Sequence, residues 1–487
     1  MIRVICNQET FVYNAYHMVK AFYPSETVMS SVDEKASNYV TVEFAEDGTD
    51  GQKEAMIEIA DRQTNDMPAE KSAMKKYLDR MLYKKLSEQS GRTLAWGILM
   101  GVRPTKIAMR KLEEGMTQET FVPWFQKENL VSEEKAHLAW QIAGREKKLL
   151  DQLDYENGYS LYVGIPFCPT VCSYCSFSSG ALGDWEHRVE DYLAALMKEL
   201  EAIAKMSEGR KADTIYMGGG TPTTLNANQL DRLLTCIDRH FVREGLLEFT
   251  VEAGRPDSIT KEKLQVLRNH GINRISINPQ SMQQKTLDTI GRKHTVEQVY
   301  EAFHMARKLG FDNINMDIIA GLPGETPEDF ADTLAQMRAL DPDSVTIHSL
   351  VVKRASRLRR LLDEGAVPEE ERARRMEQMM QMGLAFARKN GYQPYYMYRQ
   401  KNTAGYAGSS GQENIGFARE GKECLYNILI MEEMQSIAAL GAGASTKCYD
   451  RKRHIVSRVE NVKSVTDYIS RIDEMLKRKH HRDKPAI

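Results

Sequence analysis

The chain has 487 residues, more than one compact core holds, so roughly two to four domains are expected. Its 42% hydrophobic and 28% charged residues and net charge of −2 are those of an ordinary globular protein, and they argue against a general affinity for nucleic acid or anionic membrane. No run reaches the roughly 18 apolar residues of a membrane span, and the start "MIRVICNQETF" lacks the apolar core of a signal peptide, which makes the cytosol the expected compartment.

Residues 1–154 read as an N-terminal α+β accessory region. The alternating runs "IRVIC" and "YVTVEFAEDG" have strand patterning, with a turn containing Asp47 and Gly48. From Ala69 to Asp154 the pattern is mostly helical, broken at "GVRPTK" by Gly101 and Pro104. Arg103 and Lys106 in that break suit either a small anion patch or a solvated turn. Residues 155–360 change rhythm. Six β-branched or apolar runs appear, at 161–167, 214–219, 248–253, 273–279, 313–320 and 344–352, with amphipathic helical stretches between them such as 187–205 and 297–308. Strand and helix alternating in this way predict βαβ units and a parallel sheet. Six units are too few to close an eight-stranded barrel, so the expected fold is α/β, a partial (βα)6 TIM-like barrel. Chemistry in such folds gathers at the C-terminal ends of the strands. Residues 361–487 read as a mainly helical, substrate-covering region. The methionines of "RRMEQMMQMGLAFA" fit a packed apolar face or a flexible ligand lining.

Of seven cysteines, Cys6, Cys236, Cys424 and Cys448 are scattered singly and read as small buried hydrophobes. The other three, Cys168, Cys172 and Cys175, crowd into "FCPTVCSYC" just after the first run. A reducing compartment does not favour disulfides, so a cluster of this kind points to metal or to chemistry. Its C-x3-C-x2-C spacing can wrap three corners of a [4Fe–4S] cube and leave one iron open for a substrate. A zinc site completed by a distant histidine is the alternative. The remaining polar candidates also fall at strand ends. "GGGTPT", residues 218–223, ends the second run, Glu252 closes the third, Gln280 follows the fourth, and Asp317 lies late in the fifth.

"CPTVCSYC" followed by "GGGTPT" resembles the radical S-adenosylmethionine superfamily. There the open iron chelates S-adenosylmethionine, and one electron from the cluster cleaves it to methionine and a 5′-deoxyadenosyl radical. From about residue 155 to 450 the chain is most similar to the branch containing oxygen-independent coproporphyrinogen III oxidase, with "YVGIPFC" carrying Gly164 where that signature has histidine. The resemblance implies that Cys168, Cys172 and Cys175 bind the cluster, with Tyr174 beside them. It places Tyr162, Gly218 and Gly219 of the glycine run, and Glu252 around one S-adenosylmethionine. Gly220, Thr221, Gln280, Arg292 and Asp317 match positions around a possible second. It implies no catalytic side chain beyond the cluster and cofactor. The late block "GFAREGKECLYNILIMEEMQSIAALGAGASTK" and the long N-terminal region are similar to HemZ-type proteins, oxidase-like proteins commonly labelled coproporphyrinogen dehydrogenases.

That resemblance implies haem biosynthesis by oxidative decarboxylation of coproporphyrinogen III to protoporphyrinogen IX. It also implies a tetrapyrrole substrate, an electron donor such as flavodoxin or ferredoxin, no nucleic acid partner, and a monomer. Lys353, Arg354, Arg357, Arg359 and Arg360 suit propionates or a solvated helix start, and Tyr395, Tyr396, Tyr398 and Arg399 suit a tetrapyrrole flank or a packing layer. Two departures keep other readings open. Phe177 replaces the oxidase's fourth, non-ligating cysteine, as in a related haem-chaperone branch. Tyr426 in "YNILIM" replaces that branch's histidine, with Ile430 and Met431 for its aromatic pair. A haem-binding chaperone, or a radical enzyme that methylates or opens haem, are the alternatives.

Overall fold

All six runs are strands in the computed structural model, which describes residues 1–44, 55–61, 68–155, 157–175, 180–241, 244–351, 358, 367–400 and 413–480. Two compact units divide the chain. One comprises residues 1–144, 366–378 and 397–414, and the other 145–365, 379–396 and 415–487.

In the first unit, β1 (Ile2–Cys6), β2 (Val28–Val32), β3 (Asn38–Phe44) and β4 (Ala55–Asp61) form a sheet in the order β2-β1-β3-β4. Both expected strands are present, paired antiparallel as β1 and β3; Asp47 and Gly48 lie outside the described residues. Helix Glu9–Phe22 turns Phe11, Ala15, Met18, Val19 and Phe22 inward at helical spacing onto Val4 and Val42 of the sheet. Each such large side chain contributes about 1.5–3 kcal/mol on burial. Helices Lys71–Ser90, Thr105–Glu113, Gln118–Asn129 and Glu133–Leu150 fill the stretch read as helical.

The second unit is built on parallel strands. These are β5 (Gly158–Ile165), β8 (Lys211–Gly219), β9 (Glu248–Glu252), β10 (Arg274–Ser276), β11 (Ile314–Ala320) and β12 (Ser344–Ser349), each paired with the next. The short β6 (Phe167–Cys168) and β7 (Gly180–Ala181) pair beside β5. A right-handed helical crossover joins successive parallel strands in such folds; here the helices include Val189–Met206, Ala227–His240, Val296–Lys308 and Pro327–Leu340. Asn226, Thr295 and Thr326 open three of them as capping boxes, each cap worth about 1 kcal/mol.

The C-terminal region adds strands to its helices. β13 (Gln393–Arg399), β14 (Glu413–Ala418), β15 (Ile437–Leu440), β16 (Ser445–Asp450) and β17 (Ile455–Glu460) extend the sheet to the order β13-β14-β12-β11-β10-β9-β8-β5-β15-β16-β17. In helix Glu369–Lys389, Met376, Met379 and Met380 are buried at helical spacing, the packed-face reading of that methionine run. Helix Leu425–Glu432 is docked by a carboxylate from the barrel. Glu248 at the start of β9 accepts hydrogen bonds from Leu425 N at 2.6 Å, Tyr426 N at 3.5 Å and Cys424 Sγ at 3.2 Å. A carboxylate there satisfies otherwise orphaned N–H groups and meets the positive end of the helix. Cys6, Cys236 and Cys424 are buried as expected, whereas Cys448, on β16 near the end of the sheet, is only half-buried.

Candidate active site

The parallel strands alternate strictly between two faces. Ile215, Met217, Phe249, Val251, Ile275, Met316, Ile318, Val345 and Ile347 form the buried apolar set. The positions between them are polar or glycine and bond to one another. Arg274 Nη2 donates to Ser344 Oγ at 3.0 Å, Ser344 Oγ donates to Asn315 Oδ1 at 3.0 Å, and Asn315 Nδ2 donates to Asp317 Oδ1 at 2.7 Å. This second face is the lumen. Register sets Tyr162 beside Tyr216 and Gly164 beside Gly218, so a layer of rings is followed toward the strand ends by a layer without side chains. Tyr426 completes the ring layer, its centroid 4.4 Å from Tyr216 and 6.1 Å from Tyr162, with the rings within 20° of parallel.

Glu252 rises above these rings and accepts a short hydrogen bond from the Tyr216 hydroxyl. Burial pushes its carboxyl up to about 7, the Tyr216 bond pulling down and the nearby Asp317 charge adding to the rise. Asp317 behaves oppositely. Burial pushes it up as well, but His348, Asn315 and Thr346 outweigh that and leave it below the ordinary range, with His348 Nε2 3.8 Å from its Oδ2. Gln280 stands in the left-handed region at φ 68°. Its N–H donates to Asp317 O and its carbonyl accepts from Ile319 N, both at 2.9 Å, so the strain is held by pairing with β11.

The cysteine loop leaves β6 at Cys168, whose Sγ is 3.5 Å from Thr221 Oγ1 in the glycine loop. Ser173 N donates to Ile290 O at 3.0 Å and Cys175 N to Cys172 O at 3.1 Å, which anchors the loop midway. Two cationic side chains stand behind it. Arg292 lies against Cys172 and Tyr174 and donates to Asn278 O. Arg255 is clasped by Asp257 and reaches Thr170 and Cys172. His294, fully buried near both, has its pKa lowered to about 3 by burial and then by the Arg292 charge, so it is neutral at physiological pH. Among the described residues no three His, Cys, Asp or Glu side chains converge on one metal ion. Ligands that each take a separate iron of a cube have no need to. Phe177 lies outside the described residues.

These residues fit a [4Fe–4S] cluster with S-adenosylmethionine. The three thiols share one half-buried loop. A Cβ on Gly218 would fall 2.9 Å from the Glu252 carboxyl, and one on Gly220 would fall 2.5 Å from Phe167 O. Gly219 holds φ 111°, which glycine alone adopts readily. Around this cradle, Gln280 Oε1, Asn278 Oδ1, Arg292 Nε and Ser173 Oγ are buried with no hydrogen-bond partner among the described residues. Buried polar atoms are rarely left so without a ligand or water to satisfy them.

Every residue of the expected cofactor set, from Tyr162 and Tyr174 through Gly218, Gly219, Gly220 and Thr221 to Glu252, Gln280, Arg292 and Asp317, belongs to this second unit and lies on the strands, or the loops following them, described above. Other candidates go elsewhere. Lys353, Arg354, Arg357, Arg359 and Arg360 lie outside the described residues. Tyr395 and Tyr396 are buried and packed against Gly416, the packing-layer reading. Arg399 donates to Leu99 O in the first unit. Arg103 and Lys106 sit half-buried at the start of helix Thr105–Glu113. Sequence reasoning missed Tyr216, Arg255, His294 and His348. Tyr216 is legible, since it sits one strand-period before Gly218; Arg255, His294 and His348 carry no signal.

The Radical SAM superfamily model matches residues 162–337. The chain is 40% identical over 457 residues to the "oxygen-independent coproporphyrinogen-III oxidase-like protein HemZ" of Bacillus subtilis, covering 92% of this chain and 89% of that protein. It is 36% identical over 226 residues to the heme chaperone HemW of the same organism, covering 45% of this chain and 59% of that one. The solved coproporphyrinogen III oxidase HemN of Escherichia coli superimposes with a TM-score of 0.54 at 25% identity, over 68% of this chain and 73% of that one. Among the described residues no helix is long and apolar enough to cross a membrane. With its parallel partial barrel, its cysteine loop and a relative matched along nearly its whole length, the chain belongs to the radical SAM superfamily, in the family of oxygen-independent coproporphyrinogen III oxidase-like proteins.

Proposed function

We propose that the protein oxidatively decarboxylates the propionates of coproporphyrinogen III, giving the vinyl groups of protoporphyrinogen IX. For each propionate, carbon dioxide would leave, one hydrogen atom would pass to the 5′-deoxyadenosyl group derived from S-adenosylmethionine, and the remaining electron would pass to an external one-electron acceptor. When bound, a [4Fe–4S] cluster and S-adenosylmethionine supply the capacity to take a hydrogen atom from an unactivated carbon. Cys168, Cys172 and Cys175 hold the cluster, with Tyr174 beside them. Tyr162, Gly218, Gly219 and Glu252 receive one S-adenosylmethionine, and Gly220, Thr221, Gln280, Arg292 and Asp317 suit a second. The observation that supports the reading is that Gln280, held beside Asp317 by its backbone, and Arg292 keep buried side-chain atoms, Oε1 and Nε, with no hydrogen-bond partner among the described residues. Glu252 accepts hydrogen bonds from ammonium or ribose donors, and Tyr216 fixes its orientation.

The test is an anaerobic assay of reconstituted protein with S-adenosylmethionine, a low-potential reductant and coproporphyrinogen III, read by mass spectrometry. The expected product is lighter by two formic-acid equivalents, with 5′-deoxyadenosine formed. Formation of 5′-deoxyadenosine over an untouched porphyrinogen would retire the substrate and leave the radical chemistry standing.

Likeness to the heme chaperone supports a second reading, haem binding. Against it stands Tyr426, at the position where the chaperone pattern has histidine. It is buried in the ring stack, and burial drives its phenol well above the ordinary range, so it offers no phenolate to iron. Titration with haem under nitrogen, followed at the Soret band, decides between them.

Glu252 also sets an expected pH dependence. Its carboxyl keeps its proton below about pH 7, whereas a cofactor presenting N–H and O–H donors favours the carboxylate. S-adenosylmethionine affinity should therefore weaken as pH falls from 8 to 6, by roughly tenfold per unit below the pKa at most. Glu252→Gln should bind more weakly at pH 8 and lose this slope in isothermal titration.

A further inference from the structure

We propose that Arg255 is a positioning residue for the iron–sulfur centre, fixing Cys172 and making the cluster easier to reduce. This rests on the assignment of Cys172 as a cluster ligand. Arg255 follows the end of β9 by three residues and is 2% exposed. Its backbone is pinned by Ser258, whose N and Oγ donate to Arg255 O at 2.9 and 2.7 Å. Ser258 Oγ in turn lies 2.7 Å from Thr223 Oγ1, in the loop that follows the glycines.

The guanidinium divides its work by atom. Nε and Nη2 donate to the two Asp257 oxygens at 2.9 and 2.7 Å, a bidentate pairing that fixes the plane of the group. Nη2 also donates to Thr170 Oγ1 at 3.0 Å. Nη1, the one nitrogen that Asp257 leaves untouched, donates to Thr170 O at 3.0 Å and to Cys172 Sγ at 3.7 Å. Thus the anionic partner holds the far edge of the group while its free N–H groups face the sulfur and the loop carrying it. A charge-assisted fork this buried is costly to desolvate, so it needs partners on both edges.

Hydrogen bonds to the ligand sulfurs and local net charge set the potential of an iron–sulfur cluster. An N–H aimed at Sγ draws electron density from the thiolate and favours the state with one more electron. The step concerned is one electron from a low-potential donor into the cluster, with no proton moved and no bond made or broken. Asp257, Arg292, His294 and Tyr174 are the other titratable groups facing this corner, Asp257 as the carboxylate that partners Arg255. His294 is neutral there, so Arg255 and Arg292 supply its positive charge. Lysine in place of Arg255 would keep the charge but could not span Asp257, Thr170 and Sγ together.

The experiment is a potentiometric titration of reconstituted full-length protein, monitored by electron paramagnetic resonance, for the parent, Arg255→Gln and Arg255→Lys. Iron and sulfide are counted in each sample. About four irons per chain with a reduced-cluster signal in the parent shows that the chain holds the cluster. Arg255→Gln should then show about a tenfold smaller reduced-to-oxidised ratio at a fixed potential, about 59 mV for one electron. Arg255→Lys should fall between the two. If Arg255→Gln takes up no cluster, Arg255→Lys decides, and it should still titrate below the parent. Clusters that load fully and titrate with the parent in both variants would overturn the role of Arg255 while leaving the cysteines in place. A parent that takes up no cluster would remove the assignment and this inference with it.

Discussion

Cys172→Ala is expected to abolish reductive cleavage of S-adenosylmethionine. A cube held by two thiolates loses a corner, and the neighbouring side chains offer no replacement. Thr170, Ser173 and Tyr174 beside it carry hydroxyls, which are poor ligands for iron in this setting. The loop would lose its contact with Arg255 at the same point. On the proposed function the chemistry passes entirely through the cofactor, so the expected loss is the whole rate enhancement, at least about a millionfold. Quantifying 5′-deoxyadenosine under dithionite reduction measures it. Cys448→Ala, on β16 and away from the lumen, is the matched control and should retain cleavage. Residual cleavage in Cys172→Ala at more than a few per cent of the parent, or loss in the control, contradicts the assignment of the ligands.

The second large effect concerns stability. Glu199 is wholly buried in helix Val189–Met206, and four groups from the C-terminal region close on it. Lys479 Nζ and the Tyr468 hydroxyl donate to it by short hydrogen bonds, and Asn461 Nδ2 and Gly441 N donate at 2.9 Å each. Lys479 also donates to Ala439 O at 2.6 Å. Glu199→Ala leaves an ammonium buried without its anion and removes one acceptor from each of three further donors, of which Asn461 Nδ2 keeps Gly441 O. Removing one member of a buried ion pair costs about 3–5 kcal/mol. Urea unfolding of the second unit should show that loss as a lower midpoint with little change in slope. The double replacement Glu199→Leu with Lys479→Met should recover most of it, because the two apolar side chains leave no charge behind. A double variant as weak as the single one would place the loss in the Tyr468 and Asn461 bonds instead.

This network explains why the C-terminal segment matters to the lumen. Gly441 follows β15, which pairs with β5 beside Tyr162. Glu248 docks helix Leu425–Glu432 near the opposite end of the strands and delivers Tyr426 onto Tyr216. The ring layer beneath Glu252 is therefore completed by residues more than two hundred positions from the first strand.

Much of this is legible in the sequence alone. The six strands of the barrel announce themselves through β-branched and apolar runs, because a parallel strand covered on one side by helices must be apolar at every second residue. The cysteine spacing and the three glycines are local, and local patterns survive in a sequence. Strand ends then place Glu252, Gln280 and Asp317 at one mouth, since parallel strands share one direction.

What the tertiary structure decided is which distant residues meet. No periodicity in "VEAGRPDS" tells that Arg255 turns back toward Cys172, some eighty positions earlier. The same holds for His348 beside Asp317, which depends on the register of β11 against β12. The tyrosine-rich stretch after Gly391 reads equally well as a ligand wall, and only burial of Tyr395 and Tyr396 against β14 makes it packing. Short-range pattern is fixed by backbone geometry and by solvent, both of which act on neighbours along the chain. Charge partners and ring stacks are fixed by which surfaces the whole sheet brings within a few ångströms, and that is a property of the fold.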